Sequence, residues 1–483
     1  ELVILNERKG AGWPEPEVGH AKVEIFAIPL SARPVMGLGV QTDPPPFLFH
    51  DQEALDETTI RDILRRAERR LKLLQPSLAR IFCFPELWNP SLDGRTFDWD
   101  HPHVRRLVRM LTVLREIRCQ VNLVMFSLFD RPLPIIEHGM EAMLGLLDWL
   151  RNNKKFDNIR WLTIFNEPET VFRHDSPLSR EVLGERAHGI PHTWDEYVSL
   201  NRRVIRRLKE NGLSDIQIVA PDSAWRAGMR RERMELAFRA FSSEDICYSY
   251  HHYNPEEMEF YENVPAPFRY AGMREEASRF RHLLGESRPL IIWEFNNAGK
   301  GFSAHVPGLD AYGRSVLDVP EAGAKLSARV LRALRYGVDG LCLWHMHDSD
   351  VNKFGLWRWR DEGYTVKPVW HYYALLCRAV RGGLFVLSGT ESPSGLDVLG
   401  LGGGSREENF RVLVLNDGPE KRRLELRLPR SGCWCRSGVW PEMIPPAHEE
   451  IPLSVRIRCV EDGEGRLRIT LNPWELTLLE YCP

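Results

Sequence analysis

The chain has 483 residues, of which 43% are hydrophobic and 27% charged, and its formal net charge at pH 7 is −3. This composition is typical of an ordinary globular protein, and the length predicts two or three domains, or one large barrel with an appendage. The charge balance gives no broad positive field, so we expect no nucleic-acid partner. No apolar run reaches the roughly 18 residues that a membrane span requires, so we expect no membrane partner. The sequence leaves the oligomeric state unknown.

The cysteines bear on the compartment. There are nine of them, an odd number, and several, such as Cys83, Cys247 and Cys342, lie inside apolar runs. Buried cysteines usually behave as small hydrophobic residues, so a reducing, cytoplasmic compartment is favoured. The chain begins at Glu1 and not at Met, so a removed leader and a secreted location stay open.

Short apolar runs alternate with amphipathic segments from residue 35 onward. The runs predict strands at 35–41, 78–84, 121–126, 159–166, 216–221, 246–251, 290–295 and 340–344. Apolar residues at spacings of three and four predict helices at 58–74, 104–117, 140–150, 194–209, 233–241, 277–284, 322–336 and 369–380. Eight strand–helix units predict a (β/α)8 barrel, also called a TIM barrel, with inserted loops. A doubly wound open sheet is the alternative, but we find no glycine-rich phosphate turn.

The pattern changes after residue 381. Short alternating runs such as "FRVLVLND", "RRLELRLP" and "RLRITLNP" are separated by turns rich in glycine and proline, which predicts an additional all-β sandwich domain. The early runs "LVIL" and "KVEIFAI" are expected to join that sandwich. We therefore predict N-terminal strands in residues 1–32, a catalytic barrel in 33–382 and a C-terminal β-sandwich in 383–483.

Two glutamates at strand ends are the strongest candidates for chemistry, because the active site of such a barrel lies at the C-terminal ends of its strands. Strand four ends in Asn166-Glu167-Pro168, and strand seven ends in "LIIWEFN" with Glu294 between two aromatic residues. Burying a carboxyl group is costly unless it is paired or functional. The alternatives are a solvent-exposed turn for Glu167 and a strand-end salt bridge for Glu294.

Other polar and aromatic residues are predicted at the same end of the barrel. Strand two carries Arg80 within an apolar run, for which Glu294 is the natural partner; the alternative is an ordinary buried ion pair. Strand six ends in "YSYHHYN", where His251 and Tyr253 share one side and are expected to donate hydrogen bonds around the nucleophile; the alternative is a polar strand end with a core histidine. Strand eight ends near Trp344, which a sugar could stack on, or which is simply a core residue.

The order of these features along the chain resembles clan A of the retaining glycoside hydrolases, which are built on (β/α)8 barrels. The resemblance covers residues 33–382 and is greatest to families 5, 30 and 39. It implies that Glu167 is the acid/base, that Glu294 is the nucleophile and that Asn166 binds the sugar 2-hydroxyl. It further implies that Arg80 and Tyr253 keep Glu294 ionised and oriented, with Arg80 lowering the pKa of that carboxyl. His251 and Trp344 would line the −1 subsite.

The function predicted from this resemblance is hydrolysis of a β-linked oligosaccharide or glycoside through a covalent glycosyl-enzyme, with no metal or other cofactor. The segments 169–193, 254–272 and 296–320 are long, which favours a pocket and an exo-acting β-glycosidase over an endo-acting β-glycanase. A non-catalytic carbohydrate-binding barrel is a further alternative, although both glutamates are present. Candidates for substrate specificity are Asp43, Trp88, Trp225, Arg226 and Trp357.

Overall fold

A computed structural model describes most of the chain, in residues 21–44, 55–127, 133–168, 193–224, 227–253, 272–297, 315, 317–348, 353–359, 362–403, 409–444, 455–460 and 466–482. Eight strands close into a barrel, and every pairing between neighbours that is resolved in register is parallel. In chain order after β1 (Ala21–Pro29) they are β2 (Gly37–Gln41), β3 (Leu78–Cys83), β4 (Gln120–Met125), β5 (Ile159–Thr163), β6 (Gln217–Ser223), β7 (Ile246–His252), β8 (Leu290–Phe295) and β9 (Gly340–Leu343).

A helix follows each barrel strand along the chain. The helices are α1 (Glu57–Leu74), α2 (Pro102–Glu116), α3 (Leu133–Asp148), α4 (Trp194–Glu210), α5 (Ala227–Ala240), α6 (Met273–Leu284), α7 (Pro320–Arg335) and α8 (Pro368–Ala379). The predicted (β/α)8 barrel is therefore confirmed. The third helix begins at Leu133, seven residues before its predicted start. Pro134 lies in the first turn, where proline is compatible with a helix, and so it does not interrupt this one.

The barrel elements follow from simple sequence features. All six residues of β3 and of β8 are buried, as expected for parallel strands covered on both faces. Helix α1 begins where the side chain of Asp56 accepts a hydrogen bond from the backbone N–H of Thr59, which satisfies one free donor of the first turn. Its buried residues include Ile60, Ile63 and Leu64, and this spacing gives the helix one apolar face.

The second architecture is a curled, mostly antiparallel nine-stranded sheet. After β1 its strands are β10 (Phe385–Gly389), β11 (Leu396–Gly402), β12 (Arg411–Asn416), β13 (Arg422–Arg427), β14 (Cys433–Val439), β15 (Val455–Val460), β16 (Arg466–Leu471) and β17 (Leu476–Cys482). Their spatial order is β15-β14-β17-β12-β11-β10-β1-β13-β16. Strand β1 pairs antiparallel with β10 and parallel with β13, so it joins the two layers. Residues such as Val23, Val414, Leu426 and Trp434 fill the core between them, and the predicted β-sandwich is confirmed.

The chain divides into two compact units. One contains Gly39–Asn296 and Gly340–His345, and the other contains Glu1–Leu38, Asn297–Asp339 and Met346–Pro483. Within the latter unit, Arg332 of α7 donates to Asp397 and to Asp417 of the sandwich, each at 2.8 Å.

The predicted run "LVIL" lies outside the described residues, and the domain boundaries at 32/33 and 382/383 remain predictions. None of the described helices is long and apolar enough to cross a membrane.

Candidate active site

The barrel brings the predicted site residues together at the C-terminal ends of its strands. Arg80 comes from β3 and His251 from β7, and Glu294 is the fifth of the six residues of β8. Asn166 and Glu167 follow β5, Tyr253 follows β7 and Trp344 follows β9. In the pairing of β7 with β8, His251 lies directly beside Glu294. All of these residues belong to the unit that contains Gly39–Asn296 and Gly340–His345.

Glu294 is nearly buried, with 4% of its surface exposed, and both of its carboxyl oxygens have partners. Arg80 Nη1 donates to Oε1, so the contact predicted between these two residues is confirmed. The Tyr253 hydroxyl donates to Oε2 at 2.8 Å, and His251 Nδ1 lies 3.3 Å from the same oxygen. Three donors therefore fix the orientation of this carboxyl group.

Glu167 is more open than Glu294, since 27% of its side chain is exposed. Its Oε1 lies 2.9 Å from His251 Nδ1, the nitrogen that also approaches Glu294. Oxygens of the two carboxyl groups lie within 4.8 Å of one another. The backbone of Glu167 has a φ of +47°, and its N–H donates to the carbonyl oxygen of Asp222 at 3.3 Å. Such strained conformations of residues other than glycine occur often at functional sites.

Arg80 connects four side chains at the centre of the site. Its Nη1 donates to Gln41 Oε1 at 3.1 Å as well as to Glu294. Its Nη2 donates to Asp222 Oδ2 at 2.9 Å and to Asn166 Oδ1. Because the guanidinium donates to the carbonyl oxygen of the Asn166 amide, the orientation of that amide and of its Nδ2 donor group is fixed.

Asp222 is a member of this site that the sequence analysis missed. It is fully buried, and its Oδ1 accepts a hydrogen bond from Ser249 at 2.7 Å and lies 3.2 Å from His251 Nε2. Burial acts to raise the pKa of Asp222, but the charges of His251 and Arg80 and the hydrogen bonds hold it well below its usual range. Asp222 therefore remains an anion. An acidic residue after the apolar run "IVA" was the available signal.

His251 is a buried cation. Burial acts to lower the pKa of its ring, but the charges of Glu294 and Asp222 and the hydrogen bonds to Asp222 and Glu167 raise it to about 10. With both ring nitrogens protonated, Nδ1 is a donor shared by two carboxyl groups. His251 was expected to donate a hydrogen bond near the nucleophile and to line the subsite, and its approach to Glu294 agrees with this. Its second contact, with Glu167, was not predicted.

The pKa of Glu294 is raised, whereas the sequence predicted that Arg80 would lower it. Burial raises the pKa of this carboxyl, while the charges of His251 and Arg80 act to lower it. The predicted direction of the effect of Arg80 is correct, but burial outweighs it. The charges of this cluster still balance, since the cations Arg80 and His251 face the anions Glu294 and Asp222. Burial also raises the pKa of Tyr253, so its hydroxyl keeps the proton that it donates to Glu294.

The remaining candidates lie in different surroundings. Trp344 is 8% exposed and its ring centroid lies 5.4 Å from that of Phe82. Asp43 is partly buried next to Phe82.

Trp88 is fully buried and donates to the carbonyl oxygen of Ala142, so it belongs to the packing of the barrel. Trp357 is also fully buried and lies in the other unit. Trp225 and Arg226 lie outside the described residues.

Glu167, His251 and Glu294 are also close enough together to be considered as metal ligands. A metal requires a neutral imidazole with a free lone pair, whereas the charges around His251 favour its protonated form. The guanidinium of Arg80 already occupies one oxygen of Glu294. These residues fit a proton-transfer and charge-balancing role better than a metal centre.

The fold is similar to that of solved glycoside hydrolases. A GH30 endoxylanase from Clostridium papyrosolvens C71 has a TM-score of 0.62 and 10% identity, with 96% of this chain and 100% of that chain covered. A family 39 glycoside hydrolase from Bacteroides cellulosilyticus WH2 has a TM-score of 0.62 and 14% identity, with coverages of 93% and 81%. A glucosidase from Croceicoccus marinus has a TM-score of 0.59 and 12% identity, with coverages of 96% and 99%.

Sequence comparison adds no closer relative. No protein-family model matches the chain, and no curated protein matches it significantly. The structural likeness extends over nearly the whole chain and includes both the barrel and the β-sandwich. The fold implied by the resemblance to clan A glycoside hydrolases is therefore confirmed.

Proposed function

We propose that the chain is a retaining β-glycoside hydrolase that acts by double displacement. The observation that carries this proposal is the pair of carboxyl groups around His251. Nδ1 of that ring lies 2.9 Å from Glu167 and 3.3 Å from Glu294, and the two carboxyl groups have oxygens within 4.8 Å of one another. Retaining enzymes separate their carboxyl groups by about 5–5.5 Å and inverting enzymes by about 6.5–9.5 Å. The close approach supports retention.

The surroundings of the two carboxyl groups support different roles. Glu294 is nearly buried, and Arg80 and Tyr253 fix its orientation. A nucleophile needs such a fixed orientation, because it must attack one carbon atom from one direction. Glu167 is more exposed and is the group that exchanges protons with the leaving group and with water. We assign Glu294 as the nucleophile and Glu167 as the acid/base.

The reaction then has two steps. In the first, an oxygen of Glu294 attacks the anomeric carbon while Glu167 donates its proton to the departing glycosidic oxygen, which leaves as an alcohol. In the second, Glu167 takes a proton from water, and the resulting hydroxide equivalent displaces Glu294 from the same carbon. Two inversions give a product with the original anomeric configuration.

His251 supplies charge balance in both states. Before the first step the negative charge lies on Glu294; after it, Glu294 is a neutral ester and Glu167 is the anion. Nδ1 of His251 lies 3.3 Å from Glu294 and 2.9 Å from Glu167, so the same cation faces the charge on either side. A fixed charge of this kind needs no rearrangement during the reaction.

Asn166 is the group proposed to bind the 2-hydroxyl of the sugar. Arg80 donates to its carbonyl oxygen, and Nδ2 is proposed to donate to the substrate. A hydrogen bond to the 2-hydroxyl that strengthens in the transition state contributes several kcal/mol in this class of reaction. Trp344, beside Phe82, is proposed to line the same subsite, and the substrate is proposed to be a β-linked glycoside or oligosaccharide.

The mode of action is proposed to be exo. The support is the length of the segments 169–193, 254–272 and 296–320, most of which lie outside the described residues. An exo-acting enzyme releases one sugar at a time from an oligosaccharide end, whereas an endo-acting β-glycanase gives mixed shorter products from the first minutes. Digestion of β-linked oligosaccharides labelled at the reducing end distinguishes the two.

The proposed function is tested by trapping the intermediate. A 2-deoxy-2-fluoro β-glycoside with an activated leaving group slows both steps but allows the first, so the glycosyl-enzyme accumulates. We expect one equivalent of sugar on the peptide that contains Glu294, and no label in a Glu294→Gln variant. Label on another carboxyl group would refute the assignment, and hydrolysis with inversion would refute the double displacement.

A further inference from the structure

Three cysteines lie close together on two neighbouring strands of the β-sandwich. Cys433 and Cys435 are two residues apart on β14, so their side chains point to the same face of the sheet. Cys482 is the last residue of β17 and lies directly opposite Cys433 in the antiparallel pairing of these strands. Side chains that are paired in register share one face, so all three thiols lie on that face at one end of the two strands.

This face is the outer face of the sheet. Trp434 and Tyr481 form the next pair in the register and point to the other side, where they pack in the core of the sandwich with their ring centroids 5.4 Å apart. The three sandwich cysteines are half-buried, whereas Cys83 and Cys247 of the barrel are buried. Reagents in solution can therefore reach the thiols on the outer face.

The thiols of Cys435 and Cys482 are in direct contact. Their Sγ atoms lie 2.7 Å apart, although the two residues are separated by 47 positions in the chain. The S–S bond of a disulfide is about 2.0 Å long, so an approach of roughly 0.7 Å brings the two sulfurs to bonding distance. Cys482 lies at the end of its strand, where fewer backbone hydrogen bonds hold the main chain, so a small rotation of the side chains can supply this approach.

The contact distinguishes Cys435 from Cys433. Cys433 is the register partner of Cys482, yet the Cys482 thiol contacts Cys435, which lies diagonally across the strand pair. A bond between Cys435 and Cys482 leaves the Cys433 thiol on the same face. A neighbouring thiol can attack a disulfide and exchange with it, so the position of the bridge is itself a testable property of this cluster.

We propose that Cys435 and Cys482 form a disulfide that fastens β17 to β14, while Cys433 keeps its thiol. Strand β17 lies between β14 and β12 in the sheet, and its Leu479 contributes to the sandwich core, so detachment of β17 would open that core. A bridge across 47 positions restricts the unfolded chain and stabilises the fold. Disulfides persist in oxidising compartments, so the bridge favours a secreted location over the reducing compartment that the sequence favoured.

The bond forms by exchange with a small disulfide such as oxidised glutathione. The Cys482 thiolate attacks one sulfur of that disulfide, and one glutathione thiolate leaves and takes up the proton that Cys482 released. The Cys435 thiolate then attacks the Cys482 sulfur and displaces the second glutathione, which takes up the proton of Cys435. The two protein sulfurs lose two electrons in total, and one glutathione disulfide is reduced to two thiols.

The test maps the bridge in the whole protein. The protein is equilibrated with glutathione, with the reduced form in about tenfold excess over the oxidised form, and the remaining thiols are then alkylated. Trypsin places Cys433 and Cys435 in the peptide 431–436 and Cys482 in the peptide 469–483. Fragmentation on either side of Trp434 shows which cysteine of the first peptide is linked. Cys482→Ser removes the bridge, and Cys433→Ser is the matched control, since Cys433 is a half-buried cysteine of the same face.

We expect the two peptides to be linked through Cys435 in the wild-type protein and in Cys433→Ser, with Cys433 of the wild-type protein alkylated. Reduction should lower the Tm of both proteins by about 5–15 °C and should leave the Tm of Cys482→Ser unchanged. A link through Cys433, or two separate alkylated peptides, would overturn the inference, and so would a wild-type Tm that reduction does not change. The mapping uses the wild-type protein, so it decides the question even if Cys482→Ser fails to fold.

Discussion

The charge on His251 makes the stability of the barrel depend on pH. Its pKa is raised from an ordinary 6.5 to about 10, so the folded protein retains a proton that the unfolded chain loses. The stabilisation is fully present below pH 6.5 and is lost as the pH rises through about 10. A difference of 10 − 6.5 = 3.5 pKa units, at 1.36 kcal/mol each, corresponds to about 5 kcal/mol.

The perturbation that tests this is His251→Gln, which removes the titrating ring. The gap in unfolding free energy between the wild-type protein and the variant should be large at pH 6. It should shrink by about 4 kcal/mol at pH 9.5, where most of the linkage has been lost. His282→Gln, an exposed histidine on α6, is the matched control and should change stability by less than about 0.5 kcal/mol at either pH.

Denaturant unfolding of the barrel at both pH values measures these gaps, and comparing the two proteins at each pH cancels the other titrating groups. A gap that is equal at pH 6 and pH 9.5 would mean that His251 is not kept protonated by Glu294 and Asp222. The charge balance proposed for the two steps of the reaction would then be wrong as well.

Four further substitutions test other parts of the account. Asp222→Asn should lower kcat on an aryl glycoside by about 100-fold with little change in KM, since it removes an anion that orients Arg80; an unchanged kcat would contradict this. Tyr253→Phe should lower kcat/KM about tenfold by removing one hydrogen bond to Glu294, and a loss confined to KM would count against it. Arg80→Ala should lower kcat more than it raises KM and should cost about 3–5 kcal/mol of stability; a variant of wild-type stability would disprove the second part. Trp434→Ala should destabilise the sandwich by about 3–5 kcal/mol without altering kcat of the folded protein, whereas a lower kcat would place a catalytic contribution in that domain.

Much of the barrel could be predicted because its elements are local. The apolar runs and the helical spacing lie within single segments, and the eight predicted strands fall on the eight observed ones. Polar residues at strand ends were also visible in the sequence. The contact between Arg80 and Glu294 followed from chemistry, because a buried guanidinium requires a carboxylate partner.

Asp222 was missed because the fifth predicted strand, over residues 216–221, was expected to end at Pro221. Strand β6 in fact continues to Ser223, and its pairing with β7 is irregular between Pro221 and Ser223. Proline is tolerated at such irregular positions of a strand. The extra two residues bring Asp222 to the strand end, where it meets Arg80 and His251.

The order of the sandwich strands could not be predicted either. Alternating residues indicate which side chains face the core, but they do not indicate which strands are neighbours. Strand β1 lies between β10 and β13, which are more than 350 residues away in the chain.

The central claim is the division of roles between Glu167 and Glu294, and rescue by azide tests it most directly. With an activated aryl β-glycoside, Glu167→Ala should still form the glycosyl-enzyme and accumulate it, and azide should then give the β-glycosyl azide. Glu294→Ala should be inactive until azide attacks from the empty side of the anomeric carbon and gives the α-glycosyl azide. If the two variants give the opposite anomers, the nucleophile and the acid/base have been exchanged.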